Sequence, residues 1–477
     1  MGEILIKNGI IVTMDSGRRI IPDGAVVIED ERIKDLGGTG EMELQYQPDR
    51  IIDASDKIVM PGLIDGHGHA GHSLLKSLGY HNQSWYRACE EIYAKASSKD
   101  FWRVDALLTG LERLRFGTTC GVTFFGGGDS VMRIDDPSLA KIHCKGIDEI
   151  GVREILAIGP RRPPFPRTYS RWSGGARRDY MVGFDDMVEN SRSIIKSCHG
   201  MSEGKVMIAL MYPTPHPKRE SLSGREVEEL RERSATLYDI AQEEELLFTM
   251  DGHTRGTIKF CHDELELTGE TSLFSHSTDL TAEEIDICAR TGTRIVHNPS
   301  AVASMLGRCP VPELIDAGAL VMLGSDAAAP DRSYDMFRHL FQAMRYHRRY
   351  YRDPRVLPPG KVLEMCTIDA ARALGLQDEI GSIESGKLAD VIMLDMRKPH
   401  LYPLNMPTDR IVYYANGNDV DTVIVNGKIL MEDGKFSTVD LNEVLDASQH
   451  EIDKAIMRSG LEDLEELTKG YWGESRY

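Results

Sequence analysis

The 477-residue chain is short of several things, and each shortage removes a class of function. No apolar run approaches the roughly 20 residues of a membrane span, and the mean hydropathy is −0.31. The N-terminal MGEILIKNGI has no basic stretch leading into a long apolar one, so a secretory leader is not expected. Ile6 stands where N-myristoylation needs Ser or Thr. Eight cysteines are scattered without a Cys-x-x-Cys pair, and a chain of this length does not need disulfides. Reduced thiols in a cytoplasmic protein are the expectation. Basic residues are outnumbered, 56 Lys and Arg against 75 Asp and Glu, for a net charge of −19. Phosphate backbones demand clustered cations, so nucleic acid is excluded as a partner. What remains is a protein for which no membrane partner is expected.

Both ends of the chain read as short strands. Ile4-Leu5-Ile6, Ile10-Ile11-Val12, Ala25 to Ile28, Ile33 and Ile51-Ile52 are separated by turn signals at Asn8-Gly9, Pro22-Asp23-Gly24 and Gly37-Gly38. Near the other end, Val391 to Leu394 and Val423-Ile424-Val425 are strands, and Asn426-Gly427 opens a hairpin into Lys428-Ile429-Leu430. Neither unit is large enough for its own core, so the two are expected to meet as one composite sheet. Between them, strands alternate with amphipathic helices, which implies a parallel sheet. Eight strand candidates occupy 58–69, 118–125, 153–159, 205–212, 246–253, 271–276, 293–297 and 320–326. Ser223 to Glu245 reads as a charged helix, and Thr281-Ala-Glu-Glu284 as a capping-box start. Eight such units make an α/β fold of the (β/α)8 TIM-barrel type, with its chemistry at the C-terminal strand ends. The expected division is 1–59 and 376–437 for the composite sheet domain, 60–375 for the barrel, and 438–477 for an exposed helical tail.

The stretch from Pro61 to His69, PGLIDGHGH, ends an apolar run. Alternate side chains of a strand share a face, so His67 and His69 point the same way. Two imidazoles at a strand end are what a zinc-class ion takes as its first ligands. Alone, His-x-His is more often a satisfied surface pair. With its flanks it resembles the first-strand metal motif of the amidohydrolase superfamily, whose β-sandwich is built from both termini. Asp251-Gly252-His253, His276 and Asp326 then close the fifth, sixth and eighth strand candidates. The segments VLEMCTIDAARALGL, DEIGSIESGKLADVIMLD and DVDTVIVNGKILMEDGKF are similar to the tail of the triazine hydrolase and cytosine/guanine deaminase branch. Phenylurea and thiocarbamate hydrolases belong to the same branch.

The resemblance implies a homo-oligomer that acts on a small molecule, with one divalent ion per subunit held by His67, His69, His253 and Asp326. Zinc comes first, with iron or cobalt also compatible with nitrogen and oxygen donors. It also implies Asp326 as proton carrier and His276 as the residue that holds the water or polarises the substrate. No lysine ends the fourth strand, Lys205 to Tyr212, so a carboxylated lysine bridging two metals is not expected. In the deaminase branch the fifth-strand histidine begins His-x-x-Glu, and counting from His253 that place holds Gly256. Its absence favours an amide, urea or (thio)carbamate carbonyl carbon over a ring carbon. Hydrolytic deamination or dechlorination of a nitrogen heterocycle is the alternative, with Asp251 or a water replacing the glutamate. A barrel without catalysis, serving as a binding or assembly module, is a third reading. Candidate substrate contacts are Arg167, Tyr169 and Trp172 in the Arg-rich loop 159–178, together with His216 and His297. Asp251 reads either as one of these or as a hydrogen-bond partner of a ligand histidine.

Overall fold

Alternation decides where each end strand belongs. In Lys57–Pro61, Ile58 and Met60 enter the large core that fills the barrel and its surround, while Val59 enters a separate apolar cluster with Val26, Val391 and Met393. The opposing strand Val391–Asp395 divides the same way, with Ile392 and Leu394 on the barrel side. These two strands pair antiparallel, and Lys57–Pro61 also pairs in parallel with Glu3–Val12. The chain's two ends are thereby joined in one nine-stranded sheet. The computed structural model describes residues 2–79, 84–127, 131–173, 175–215, 221–302, 307–467 and 471–473.

None of the three N-terminal turn signals makes a turn, and Gly37-Gly38 closes the strand Arg32–Gly38, paired with Ala25 and Gly24. Asn8-Gly9 lies inside the single strand Glu3–Val12, where the register with Ile20–Glu29 shifts on either side of Gly9. Asn8 takes a left-handed φ of 64° there, and its backbone N–H donates to Thr39 Oγ1, so the signal marks a bulge. Pro22-Asp23-Gly24 is likewise absorbed into Ile20–Glu29. Asn426-Gly427 does turn the hairpin between Val420–Val425 and Lys428–Glu432, with both residues at positive φ.

Eight parallel strands follow in the expected order: Leu63–His69, Thr118–Phe124, Arg153–Ile158, Val206–Met211, Phe248–Met250, Ser272–Ser275, Arg294–His297 and Val321–Leu323. The backbone N–H of Asp326 donates to His67 O at 2.8 Å and that of His69 to Ala327 O at 3.1 Å, which draws the eighth strand to the first. The candidate 58–69 is divided at Gly62, its first half in the end sheet and its second in the barrel.

The helices start where their caps place them. Ser223 and Glu226 form a capping box on Gly224–Glu243, and Thr281 and Glu284 another on Ala282–Thr291. Loop 159–178 is mostly an antiparallel hairpin, Arg167–Ser173 against Ala176–Val182. The helix Leu441–Ser459 is not simply exposed. It buries Val444, Ala455 and Ile456 and packs beside Lys99–Arg115, with Ser98 Oγ donating to Glu451 Oε2 at 2.9 Å. All eight cysteines are free and buried. Among the described residues no helix is long and apolar enough to cross a membrane.

Candidate active site

The seam between the first and eighth strands rests on a buried charge network. Asp65 Oδ1 accepts the N–H of Ser325 at 2.8 Å and of His67 at 3.3 Å. Its Oδ2 takes the Ser325 hydroxyl at 2.8 Å and Arg113 Nη2 at 3.1 Å. Arg113 also reaches Glu154 at 3.2 Å, and Glu154 accepts from the Thr123 hydroxyl. One carboxylate thus fixes the backbone beside His67 and beside Asp326 together.

Above that network five side chains converge. Asp326 Oδ1 lies 3.0 Å from His69 Nε2 and 3.5 Å from His67 Nε2, and Asp326 Oδ2 lies 3.9 Å from His276 Nε2. Asp251 enters from the opposite side, with Oδ1 3.1 Å from His276 Nε2 and 3.4 Å from His67 Nε2, and Oδ2 4.0 Å from His69 Nε2. Candidate ligand atoms lie within 4.8 Å of one another in two overlapping triads, His67–His276–Asp326 and His67–His69–Asp251. His69 Nδ1 donates to Gly126 O at 3.0 Å, which leaves the Nε2 lone pair facing the centre. His67 Nε2 is buried and has no hydrogen-bond partner. An orphaned imidazole nitrogen among carboxylate oxygens fits a divalent ion.

Electrostatics agree with that fit. Burial works against charge on Asp251, but the imidazoles of His67 and His276 hold its carboxyl far below the ordinary range. Burial likewise opposes charge on Asp326, and Arg332 and His276 more than offset it. Arg332 Nε stands 3.3 Å from Asp326 Oδ2, and its Nη1 donates to Ala329 O at 3.1 Å. His67 is pushed down by burial, partly countered by Asp251. His276 is lowered by burial but raised overall by its contact with Asp251 and the charge on Asp326.

The structure therefore brings together His67, His69, His276, Asp326 and Asp251, and it leaves His253 out of both triads. Expected as a metal ligand, His253 instead stacks on Phe274 at 4.2 Å, with Nδ1 3.0 Å from Thr257 Oγ1. The reason is local. Strand Phe248–Met250 ends before Asp251, and Gly252 at φ 83° reverses the chain, so positions 251 and 253 no longer share a face. The count to Gly256 shifts accordingly. Gly256 caps Thr257–Asp263 at φ 86°, and its N–H donates to Glu284 Oε1 at 2.8 Å. Three residues after Asp251 stands Thr254, whose hydroxyl meets Thr278 Oγ1 at 3.1 Å. Neither position carries a carboxylate.

The other expected substrate contacts are not among these five side chains. Tyr169 is fully buried and donates to Met132 O at 3.0 Å. Trp172 Nε1 donates to Lys95 O at 2.7 Å, and Arg167 Nε donates to Arg162 O at 2.9 Å, so these three hold the hairpin in place. His216 lies outside the described residues. His297 does end the seventh strand, but its ring packs 5.2 Å from His347, and neither ring nitrogen has a hydrogen-bond partner. Two further side chains border the cluster, Arg332 and His72. Arg332 lies six residues past Asp326 in a loop without periodicity, so nothing in the sequence announced it. His72 packs 4.4 Å from His69 and 4.9 Å from Trp85, with both ring nitrogens unpartnered. Its place three residues after His69 was the available signal.

Residues 234–430 match the amidohydrolase family. The chain is 31% identical over 456 residues to the 5-methylthioadenosine/S-adenosylhomocysteine deaminase of Moorella thermoacetica, an alignment covering 93% of this chain and 97% of that one. Among solved structures, an adenosine deaminase from Xanthomonas campestris with bound zinc superposes with a TM-score of 0.80 at 22% identity, covering 95% of this chain and 98% of that one. The atrazine chlorohydrolase of Arthrobacter aurescens TC1, in complex with zinc, superposes with a TM-score of 0.76 at 22% identity, covering 94% and 100%.

Proposed function

Because the chain belongs to the amidohydrolase family, we propose that it is a metal-dependent hydrolase that displaces an exocyclic group, an amino group first, from a ring carbon of a nitrogen heterocycle. The observation that carries this reading is the convergence of Asp251 and Asp326 with His67, His69 and His276 at the barrel mouth, in a chain that aligns almost end to end with a nucleoside deaminase. The similarity to named deaminases supports the ring-carbon reading over the carbonyl cleavage that the sequence first favours.

His67, His69 and Asp326 would hold the ion, which supplies a nucleophilic water at neutral pH and a positive charge beside the substrate. Zinc leads among the metals, since two of the superposed structures contain it. Asp326, whose carboxyl is held well below the ordinary range by Arg332 and His276 against the opposing effect of burial, would accept the proton of the attacking water. His276 Nε2, 3.1 Å from Asp251 and 3.9 Å from Asp326, is placed to pass a proton between the carboxylates and a substrate ring nitrogen. With no carboxylate at Thr254 or Gly256, that transfer falls to His276 and Asp326. Arg332, beside Asp326, keeps the carboxylate oriented.

The same missing carboxylate favours a second reading, hydrolysis of an amide, urea or carbamate, in which no ring nitrogen needs a proton. Product identification separates the two. The first reading expects ammonia from adenine nucleosides such as 5′-methylthioadenosine, or chloride from chlorotriazines. Amine release from aryl ureas and carbamates, with every heterocycle inert, would replace it by the second.

A further inference from the structure

We propose that Asp251, and not His253, is the metal ligand supplied by the fifth strand, so that the ion is held by two imidazoles and two carboxylates: His67, His69, Asp251 and Asp326. The inference rests on the metal-hydrolase reading and concerns which atoms this chain offers to the ion.

Three observations carry it. Asp251 is the first residue past strand Phe248–Met250, and its carboxylate faces His67 at 3.4 Å, His69 at 4.0 Å and His276 at 3.1 Å. That carboxylate is also fixed from behind. Ser275 Oγ donates to Asp251 Oδ1 at 2.9 Å, and the Thr214 hydroxyl donates to the Asp251 carbonyl. Ligand carboxylates are oriented by such outer hydrogen bonds. His253, by contrast, belongs to neither triad, although its buried Nε2 also lacks a hydrogen-bond partner. Its N–H donates to Ser275 O at 3.1 Å, its carbonyl accepts from Thr278 at 3.0 Å, and its ring lies on Phe274.

Exchanging an imidazole for a carboxylate changes what the site prefers. Two carboxylates balance the charge of a divalent ion, and oxygen donors suit manganese relative to zinc better than nitrogen donors do. The site is therefore less selective for zinc than one with three imidazoles and one carboxylate.

The test uses the full chain stripped of metal and titrated with Zn2+ or Mn2+ alone, read by calorimetry and by the metal-induced rise in unfolding temperature. Stoichiometric binding by the unaltered chain establishes the metal site itself, independently of which residue completes it. Asp251→Asn is expected to weaken binding by roughly 100-fold or more, beyond what loss of an outer-sphere partner brings. His253→Gln is expected to change it less than about threefold, since no ligand is removed. Asp251→His is expected to lower the ratio of manganese to zinc affinity by at least about tenfold. The visible spectrum of the Co2+-loaded chain gives a reading independent of stability. It should shift with Asp251→Asn and stay unchanged with His253→Gln. Retained metal and an unchanged cobalt spectrum in Asp251→Asn, with loss of both in His253→Gln, would overturn the assignment.

Discussion

Two strand ends face each other across the site and are built on different principles. At the seam of the first and eighth strands, His67, His69 and Asp326 are set by a buried lattice in which Asp65 binds both backbones and Arg113 binds Asp65. At the fifth strand the described residues show no buried charge lattice: hydroxyls of Ser275 and Thr214 hold Asp251, and a reversal at Gly252 selects which side chain enters. The seam follows strand alternation and the fifth end departs from it. Strand alternation therefore accounts for the arrangement at the seam and not for the arrangement at the fifth end.

The largest break should come at the seam. Asp326→Asn removes the proton acceptor and should lower kcat on the order of 10³-fold or more, measured with whichever substrate the product screen identifies. A near-normal rate would remove Asp326 from the chemistry. Next in size, Arg113→Met leaves Asp65 and Glu154 buried without their cation and should cost about 3–5 kcal/mol in denaturant unfolding. A change below about 1 kcal/mol would mean that the network does not organise the seam.

Changes at the fifth end should be gentler on the fold. Gly252→Ala forces a side chain into the left-handed region, at about 1–2 kcal/mol, and should weaken metal binding by moving Asp251. Unchanged metal affinity would show that the reversal does not place that carboxylate. The last effect is confined to acid and absent at neutral pH. Burial holds His253 down to about 3 against an ordinary 6.5. Between those values the unfolded chain binds a proton that the folded chain does not. Stability from this residue is therefore complete above pH 6.5 and declines as pH falls toward 3, by up to about 1.4 kcal/mol per pH unit. His253→Asn should flatten the stability profile in that window and leave it unaltered above; an unchanged slope would mean the ring is not buried neutral.

Much of this was legible because strands and caps are local. The eight barrel strands, the Asn426-Gly427 hairpin and the capping boxes at Ser223 and Thr281 follow from period and cap chemistry. Asn8-Gly9 misled because a bulge and a turn use the same residues, and only the pairing partner distinguishes them. At His253, counting along a strand assumes that the strand continues, whereas this one stops at Met250, so the shared face of 251 and 253 was not legible as lost. Arg332 was invisible because its approach to Asp326 is made by a loop whose path depends on tertiary packing. The Arg-rich loop suggested a substrate grip, yet Arg167, Tyr169 and Trp172 bind main-chain carbonyls of their surroundings.

The central claim is that the cluster at the barrel mouth is a one-metal hydrolytic centre. Elemental analysis of the purified chain, paired with His67→Ala and Asp326→Ala, tests it most directly. The account predicts one divalent ion per chain in the unaltered protein, and its loss from both folded variants. A metal-free protein that cannot be loaded with zinc, manganese or iron, or variants that keep a full equivalent, would contradict it.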